Sequence, residues 1–424
     1  MAEEKVDFHE LGATGLRRSG GFVLEEFLPQ LQGIKARQVY REMADNDPVV
    51  GGILLAFNEV LGRLDWHIEK PDQASSQDLL AYDFIASAFE DTEDGWDVTL
   101  AQILSMLVYG YAVHEVVYKI RGGDSKSPEY RSKYADGRIG WRKFPIRSQD
   151  SFLRWEFGEH GEIKAFIQQD ITTGMHYIPM QKALLFRTNE WKGNPEGISL
   201  LRKAYSSWFY KKRIQEIEAI GIERDLAGLP VAYAPQEWFS PNADSGVKSS
   251  LTAVQNMITQ IKRNETEGVV LPYITDEANN KMLYLELLNS GGSRVFNTEA
   301  IIDRYNKMIA TSMLADFVLL GQGTVGSFAL GSQKLESWQM IVESIAKSIC
   351  NVFNKQAIQK LLDLNGIKCD QPPQLTFGTV ARSDLAALGQ YLGSLADAGI
   401  LSPSDPDLES WARKQADMPP VQEL

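Results

Sequence analysis

Two long helical stretches, with apolar stripes too wide for one subunit to cover, constrain this chain most. From about Ser199 to Leu226 the pattern sustains one helix of nearly thirty residues, roughly 40 Å long at 1.5 Å per residue. Gly228 and Pro230 stop it. A second helix is predicted from about Thr298 to Leu319, with Ile301, Ile302, Tyr305, Met308, Ile309 and Met313 on one face. A third runs from about Gln333 to Leu364, with Leu335, Trp338, Val342, Ile345, Ile349 and Val352 spaced by three and four and Asn365-Gly366 as its cap. An apolar face that one copy leaves open favours assembly with further molecules.

The first half has a different grammar. Residues 1 to about 35 read as an extended arm, broken by Gly12, Gly15, Gly20, Gly21 and Pro29. Asp47-Pro48 opens a helix whose apolar positions are Ile53, Leu54, Phe57, Val60 and Leu61. "LDWHIEK" reads as a strand, Ser76 to Phe89 as a helix, and a further helix begins near Thr99. "GYAVHEVVYKI" alternates as a strand, with His114 as a sheet residue. Residues 122 to 140 form a polar loop, and "FLRWEFGEHGEIKAFIQQ" is a hairpin turning at Gly158 and Gly161. The fold class is α+β. Between the first two long helices lies a mixed segment, with a helix from Lys248 to Arg263 and a strand at "EGVVLPYI".

Between the second and third long helices sits "LLGQGTVGSFALGSQ", where Gly321, Gly323 and Gly326 spell G-x-G-x-x-G. That dinucleotide fingerprint needs a strand before it, a helix after it and an acid about 20 residues on. Here a long helix precedes it, and Glu343 falls inside the next helix. A mobile or tightly packed loop explains the glycines better than a phosphate cradle does. No G-x-x-x-x-G-K-[ST] loop, G-x-S-x-G elbow or paired-histidine zinc motif occurs. Cys350 and Cys369 are too few for a zinc site and fit a reducing compartment. The expectation is a non-enzyme without metal or cofactor. The net charge of −13 argues against a broad basic nucleic-acid grip, though not against a wall past which DNA slides. The most apolar run, "LSMLVYGYAVHEVVY", is too short to span a bilayer, and the acidic N-terminus lacks a signal peptide's pattern. The reading is a soluble, cytoplasmic product without membrane contact.

The order of these pieces resembles the portal proteins of tailed bacteriophages, in particular their Mu-like branch, from about residue 36 to 418. "DNDPVVGGILLAFNEVLGRLDWHIEK", "LVYGYAVHEVVYK", "GNPEGISLLRKAY", "IERDLAGLPV", the glycine-rich stretch and "TFGTVARSDLAALGQYLGSLADAGI" carry the resemblance.

The resemblance implies a ring, typically of twelve subunits, at one capsid vertex, through which double-stranded DNA is packaged and ejected. It implies an arm at 1–35, an α+β wing at 36–198, a long helix into the stem at 199–228 and a clip at 229–294. A second stem helix at 295–320, a tunnel loop at 321–333, a long wing helix at 334–366 and C-terminal wing or crown helices at 367–424 complete it. Gly321, Gln322, Gly323, Thr324, Val325, Gly326 and Ser327 would form the loop facing DNA. Arg304, Lys307 and Lys211 are candidate lumen cations, with plain surface or inter-subunit pairing as the other reading. Trp238 and Phe239 are candidates for docking the terminase motor, with a core role as the alternative. The implied partners are further copies of the chain, non-specifically contacted phage DNA, the motor, a neck or tail adaptor, the major capsid protein and scaffold. Two other readings stay open: a nucleotide-binding enzyme using the glycine-rich loop, and a head-assembly adaptor without a channel.

Overall fold

The computed structural model describes residues 14–72, 74–159, 161–170, 172–227, 229–262, 284–288, 297–315 and 328–380, with 389–390, 393–394, 396 and 413 beyond. The chain divides into two compact units, one formed by Met1–Ala204 with Ala310–Leu424 and the other by Tyr205–Ile309. Helices and strands mix throughout, as the α+β expectation required.

The first unit opens with a small hairpin, β1 (Arg18–Ser19) and β2 (Phe22–Val23), then α1 (Gly33–Asn46) and α2 (Pro48–Gly62). The Asp47 carboxylate accepts from the amides of Val49 and Val50 at 2.9 and 3.2 Å, and Pro48 fills the first turn, where no amide is needed. Val50, Ile53, Leu54, Phe57 and Leu61 face the core. After β3 (Trp66–Glu69), α3 (Ser76–Glu90) starts in a reciprocal Ser75–Asp78 capping box. Then come α4 (Trp96–Ile103), α5 (Met106–Tyr109), β4 (Tyr111–Glu115), β5 (Val117–Ile120), β6 (Ile139–Lys143) and β7 (Ile146–Arg147). The expected single alternating strand is thus two strands that pair with different neighbours. Tyr111 to His114 are all buried, so β4 is covered on both faces.

The predicted hairpin is β8 (Phe152–Phe157) with β9 (Ile163–Asp170), extended by β10 (Gly174–Pro179) into an antiparallel sheet. β11 (Ala183–Arg187) pairs with β4, opposite β7. Tyr111, Val113, Phe152, Trp155, Phe166, Ile178 and Leu185 join the two sheets in one buried cluster. Side chains of this size each contribute about 1.5–3 kcal/mol by leaving water.

The second unit is built from α6 (Tyr205–Ala227), β12 (Leu229–Tyr233), α7 (Ser245–Lys262), β13 (Tyr284–Leu288) and α8 (Thr298–Ser312). β12 and β13 form an antiparallel pair in register Leu229↔Leu288 to Tyr233↔Tyr284. The strand expected at "EGVVLPYI" lies outside the described residues.

The chain returns to the first unit with α9 (Phe328–Phe353), one π-helical turn at Asn354–Ile358, α10 (Gln359–Leu364) and β14 (Gln374–Phe377), which pairs with β3. Trp338 on α9 packs against Phe57, ring centroids 5.3 Å apart. Phe353 sits within 6.0 Å of the rings of Phe89, Trp96, Trp141 and Phe144. These contacts close the first unit around residues more than 200 positions apart in sequence.

Among the long helices three bounds differ from expectation, two of them for a nameable local reason. α6 begins at Tyr205 because the Ser199 hydroxyl donates to the Val108 carbonyl and accepts from Leu201 N–H, holding residues 200–202 in a 3-10 turn. α8 ends at Ser312 because Leu314 adopts φ 53°. α9 begins at Phe328, five residues before the expected Gln333.

Candidate nucleic-acid interface

Two contacts fix how α6 and α8 run within the second unit. The Tyr210 and Tyr305 rings stack with centroids 6.5 Å apart. The Thr298 hydroxyl donates to the Glu218 carboxylate. Advancing along α6 from Tyr210 to Glu218 means retreating along α8 from Tyr305 to Thr298, so the helices are antiparallel neighbours. At 1.5 Å per residue they are about 35 and about 22 Å long.

The outward face of α8 is charged. Arg304 and Lys307 are exposed, and neither makes an ion pair among the described residues. Arg304 lies over the Tyr305 ring at 5.2 Å, so the tyrosine that joins the helices also orients the cation. Lys211 is placed differently: it is only 3% exposed and is engaged with other groups. A lumen-facing role expected for Lys211 does not fit a buried side chain, and Arg304 and Lys307 are left as the candidate cations. On α6, Phe209, Tyr210, Ile217 and Ile220 are exposed, Ile217 at 66%. An open apolar face on a helix marks a contact surface for another molecule.

Phe239, in a 3-10 turn after β12, is exposed, while Trp238 beside it is half-buried. The alternative core role is therefore excluded for Phe239 and partly retained for Trp238. Residues Gly321, Gln322, Gly323, Thr324, Val325, Gly326 and Ser327 lie outside the described residues. The last six residues of the expected loop, Phe328 to Gln333, form the first turns of α9.

The first unit holds two polar features that periodicity could not reveal. Lys119 and Asp91 form a buried ion pair at 3.0 Å. Burial pulls the Asp91 carboxyl up, but the Lys133 amide, the Ser132 hydroxyl and Lys119 outweigh it and leave it below the usual carboxylate range. These bonds tie the polar loop after β5 to the end of α3. Beside the sheets, the Glu196 carboxyl is pushed up to about 7 by burial, against the opposing pull of the Trp155 indole N–H and Arg37. A charge count along the chain gives no sign of either.

A family model described as the portal protein of Mu bacteriophage matches residues 37–417. Among solved structures, a chain from the neck of an empty gene transfer agent (GTA) particle, computed with C6 symmetry, aligns with TM-score 0.51 and 12% identity. The alignment covers 91% of this chain and 94% of that one. A chain from the neck of the native GTA particle, computed with C12 symmetry, aligns with TM-score 0.50, the same identity and the same coverage.

Proposed function

This chain belongs to the portal protein family of Mu bacteriophage, and on that premise we propose that it forms the ring channel through which double-stranded phage DNA enters and leaves the capsid. The observation that carries the reading is the antiparallel pair of α6 and α8, with an apolar face open on one helix and, on the other, exposed cations that make no ion pair among the described residues. In the proposal this pair is the stem. Residues 36–198 with 334–366 form the wing, and 229–294 form the clip.

The reading is a passive conduit. A twelvefold ring of chains at −13 each carries a formal charge of roughly −156, which repels the phosphate backbone and limits sticking. Arg304 and Lys307 then supply weak contacts repeated around the ring, without sequence readout. In the proposal Gly321 to Ser327 are the loop that faces DNA, as the family resemblance implies. Phe239 offers an exposed aromatic for docking the motor and, after packaging, the neck adaptor. The virion vertex is the proposed location.

Electron microscopy of the purified full chain, paired with native mass spectrometry, tests this. Rings with a central hole are the expected result. Monomer alone, across protein and salt concentrations, would overturn the reading.

A further inference from the structure

A cavity of about 410 Å³ opens in the first unit between the arm, α1 and the loop leading to residue 203. Its rim is apolar and exposed: Phe27 at 78%, Trp191 at 61% and Ile198 at 39%. Its lining also includes two polar groups of another kind. Tyr111 is 3% exposed, and its hydroxyl, which the Arg37 guanidinium approaches, makes no hydrogen bond by strict geometry. The Glu196 carboxyl accepts from the Trp155 indole at 3.3 Å and makes no ion pair among the described residues.

Of the other charges lining the cavity, the two carboxylates are paired, while Arg37, which pulls on Glu196, and Lys203 make no ion pair among the described residues. Glu26 receives Nε and a terminal nitrogen of Arg202 at 2.5 and 2.9 Å. Glu25 receives Lys192 at 3.2 Å, and Arg37 donates to the Phe152 carbonyl at 3.1 Å. Backbone packing holds Glu196 in place. A side chain on Gly197 would come within 2.3 Å of the Gly110 carbonyl oxygen, and both glycines have positive φ. The loop therefore presses against the start of β4 and keeps the carboxyl beside Tyr111.

We propose that this cavity is a socket for a lysine or arginine side chain presented by a partner protein. The aliphatic stem lies along Phe27 and Trp191, and the cationic head meets the Glu196 carboxylate and the Tyr111 hydroxyl. Long basic side chains have the required apolar stem and charged tip. An apolar side chain leaves both polar groups desolvated and unsatisfied. An anion meets Glu196 head-on. Exposed aromatics around a desolvated pocket are the usual setting of an interface anchor.

The empty site divides its carboxyl between acid and carboxylate near neutral pH, because burial raises it to about 7. Arg37 and Tyr40 face it from α1, Tyr111 and Trp155 from the sheets, and the Glu26–Arg202 pair from the arm and loop. A bound cation drives the carboxyl fully to carboxylate and releases its proton to solvent. The socket goes beyond the channel reading: rings need not fail if it fails, and it need not fail if rings do.

The full chain is titrated with Nα-acetyl-lysine methylamide and Nα-acetyl-arginine methylamide, with the norleucine analogue as uncharged control, by calorimetry at pH 6 and 8. Both cations are expected to bind, about tenfold more tightly at pH 8, the ratio of ionised fractions for a group near 7. Glu196→Gln should cost tenfold or more at pH 8 and abolish the pH dependence. Tyr111→Phe should weaken binding severalfold and keep it. No saturable binding of either cation, equal binding of norleucine, or unchanged affinity in Glu196→Gln would each overturn the proposal. If a variant unfolds, the pH series on the unaltered chain decides alone.

Discussion

Tyr210 on α6 stacks on Tyr305 of α8, with ring planes 25° apart and centroids 6.5 Å apart. This pair and the hydrogen bond from Thr298 to Glu218 both set the register of the antiparallel helices. Stacked aromatic pairs contribute about 0.5–1.5 kcal/mol beyond their buried area. Tyr210 is 56% exposed, which places this pair at the lower end. A double-mutant cycle of Tyr210→Ala and Tyr305→Ala, followed by urea unfolding, should give a coupling of about 0.5 kcal/mol. Additive losses would show that the stack contributes nothing to the helix pair.

The end of α8 stores strain. Ala315 N–H donates to Ala310 O and Leu314 N–H to Thr311 O, the paired bonds of a Schellman ending. The left-handed position is filled by Leu314 at φ 53°, where glycine or asparagine is usual. A left-handed residue with a Cβ costs roughly 1–2 kcal/mol. Leu314 is 58% exposed, so little packing is lost on replacing it. Leu314→Asn should raise stability by about 1 kcal/mol in denaturant unfolding. A fall in stability would mean the leucine side chain has a contact that matters more than its backbone.

The contrast between legible and illegible parts follows from range. Asp47-Pro48, the Gly158–Gly161 hairpin and the Asn365-Gly366 ending were readable because cap and turn chemistry is local. The end of α8 was not, because apolar spacing continues through Met313 and gives no warning that Leu314 leaves the helix. Lys211, Lys212 and Arg213 read as one basic run, yet three consecutive helical residues fan over roughly 200°. Where the buried side of a helix is wide, such a run turns a member inward, and here it is Lys211. Glu196 and Tyr111 meet only through the packing of Gly110 on Gly197, across a separation that periodicity cannot bridge.

Two groups, the buried His114 and the half-buried Glu196, give opposite pH slopes over one window. Burial lowers His114 to about 4, with its Nδ1 on the Phe144 carbonyl and its Nε2 unpartnered. The unfolded chain therefore binds more protons there, and this contribution is lost as pH falls from about 6.5 towards 4. Burial raises Glu196 to about 7, so its contribution is full below about 4.5 and is lost as pH rises through 7. Between about 4.5 and 6.5 the slopes oppose one another. Glu196→Gln should unmask the histidine, giving a stability that climbs with pH more steeply than in the unaltered chain. Urea midpoints at half-unit pH steps measure this; parallel curves for the two proteins would contradict the Glu196 assignment, and a Glu196→Gln curve that does not climb between about 4 and 6.5 would contradict that of His114.

The exposed cations of α8 make the most direct test of the DNA-facing assignment. Arg304 and Lys307 lie one turn apart on the outward face, and neither is tied up in an ion pair among the described residues. If α8 lines the channel, each subunit presents two positive charges to passing phosphate. Reversing both, in Arg304→Glu with Lys307→Glu, changes the charge by −4 per subunit, from +2 to −2. The fold should tolerate this, because both side chains are exposed and surface changes of this kind cost about 0.5 kcal/mol or less. Tyr305 keeps its stack on Tyr210, although it loses the Arg304 contact. Rings should therefore still form, whereas the DNA retained in filled heads should fall severalfold. The defect should ease as salt rises, since screening shortens the reach of the added acids to within about 10 Å at 0.1 M. Full retention of DNA by the reversed ring at low salt would place α8 away from the DNA path.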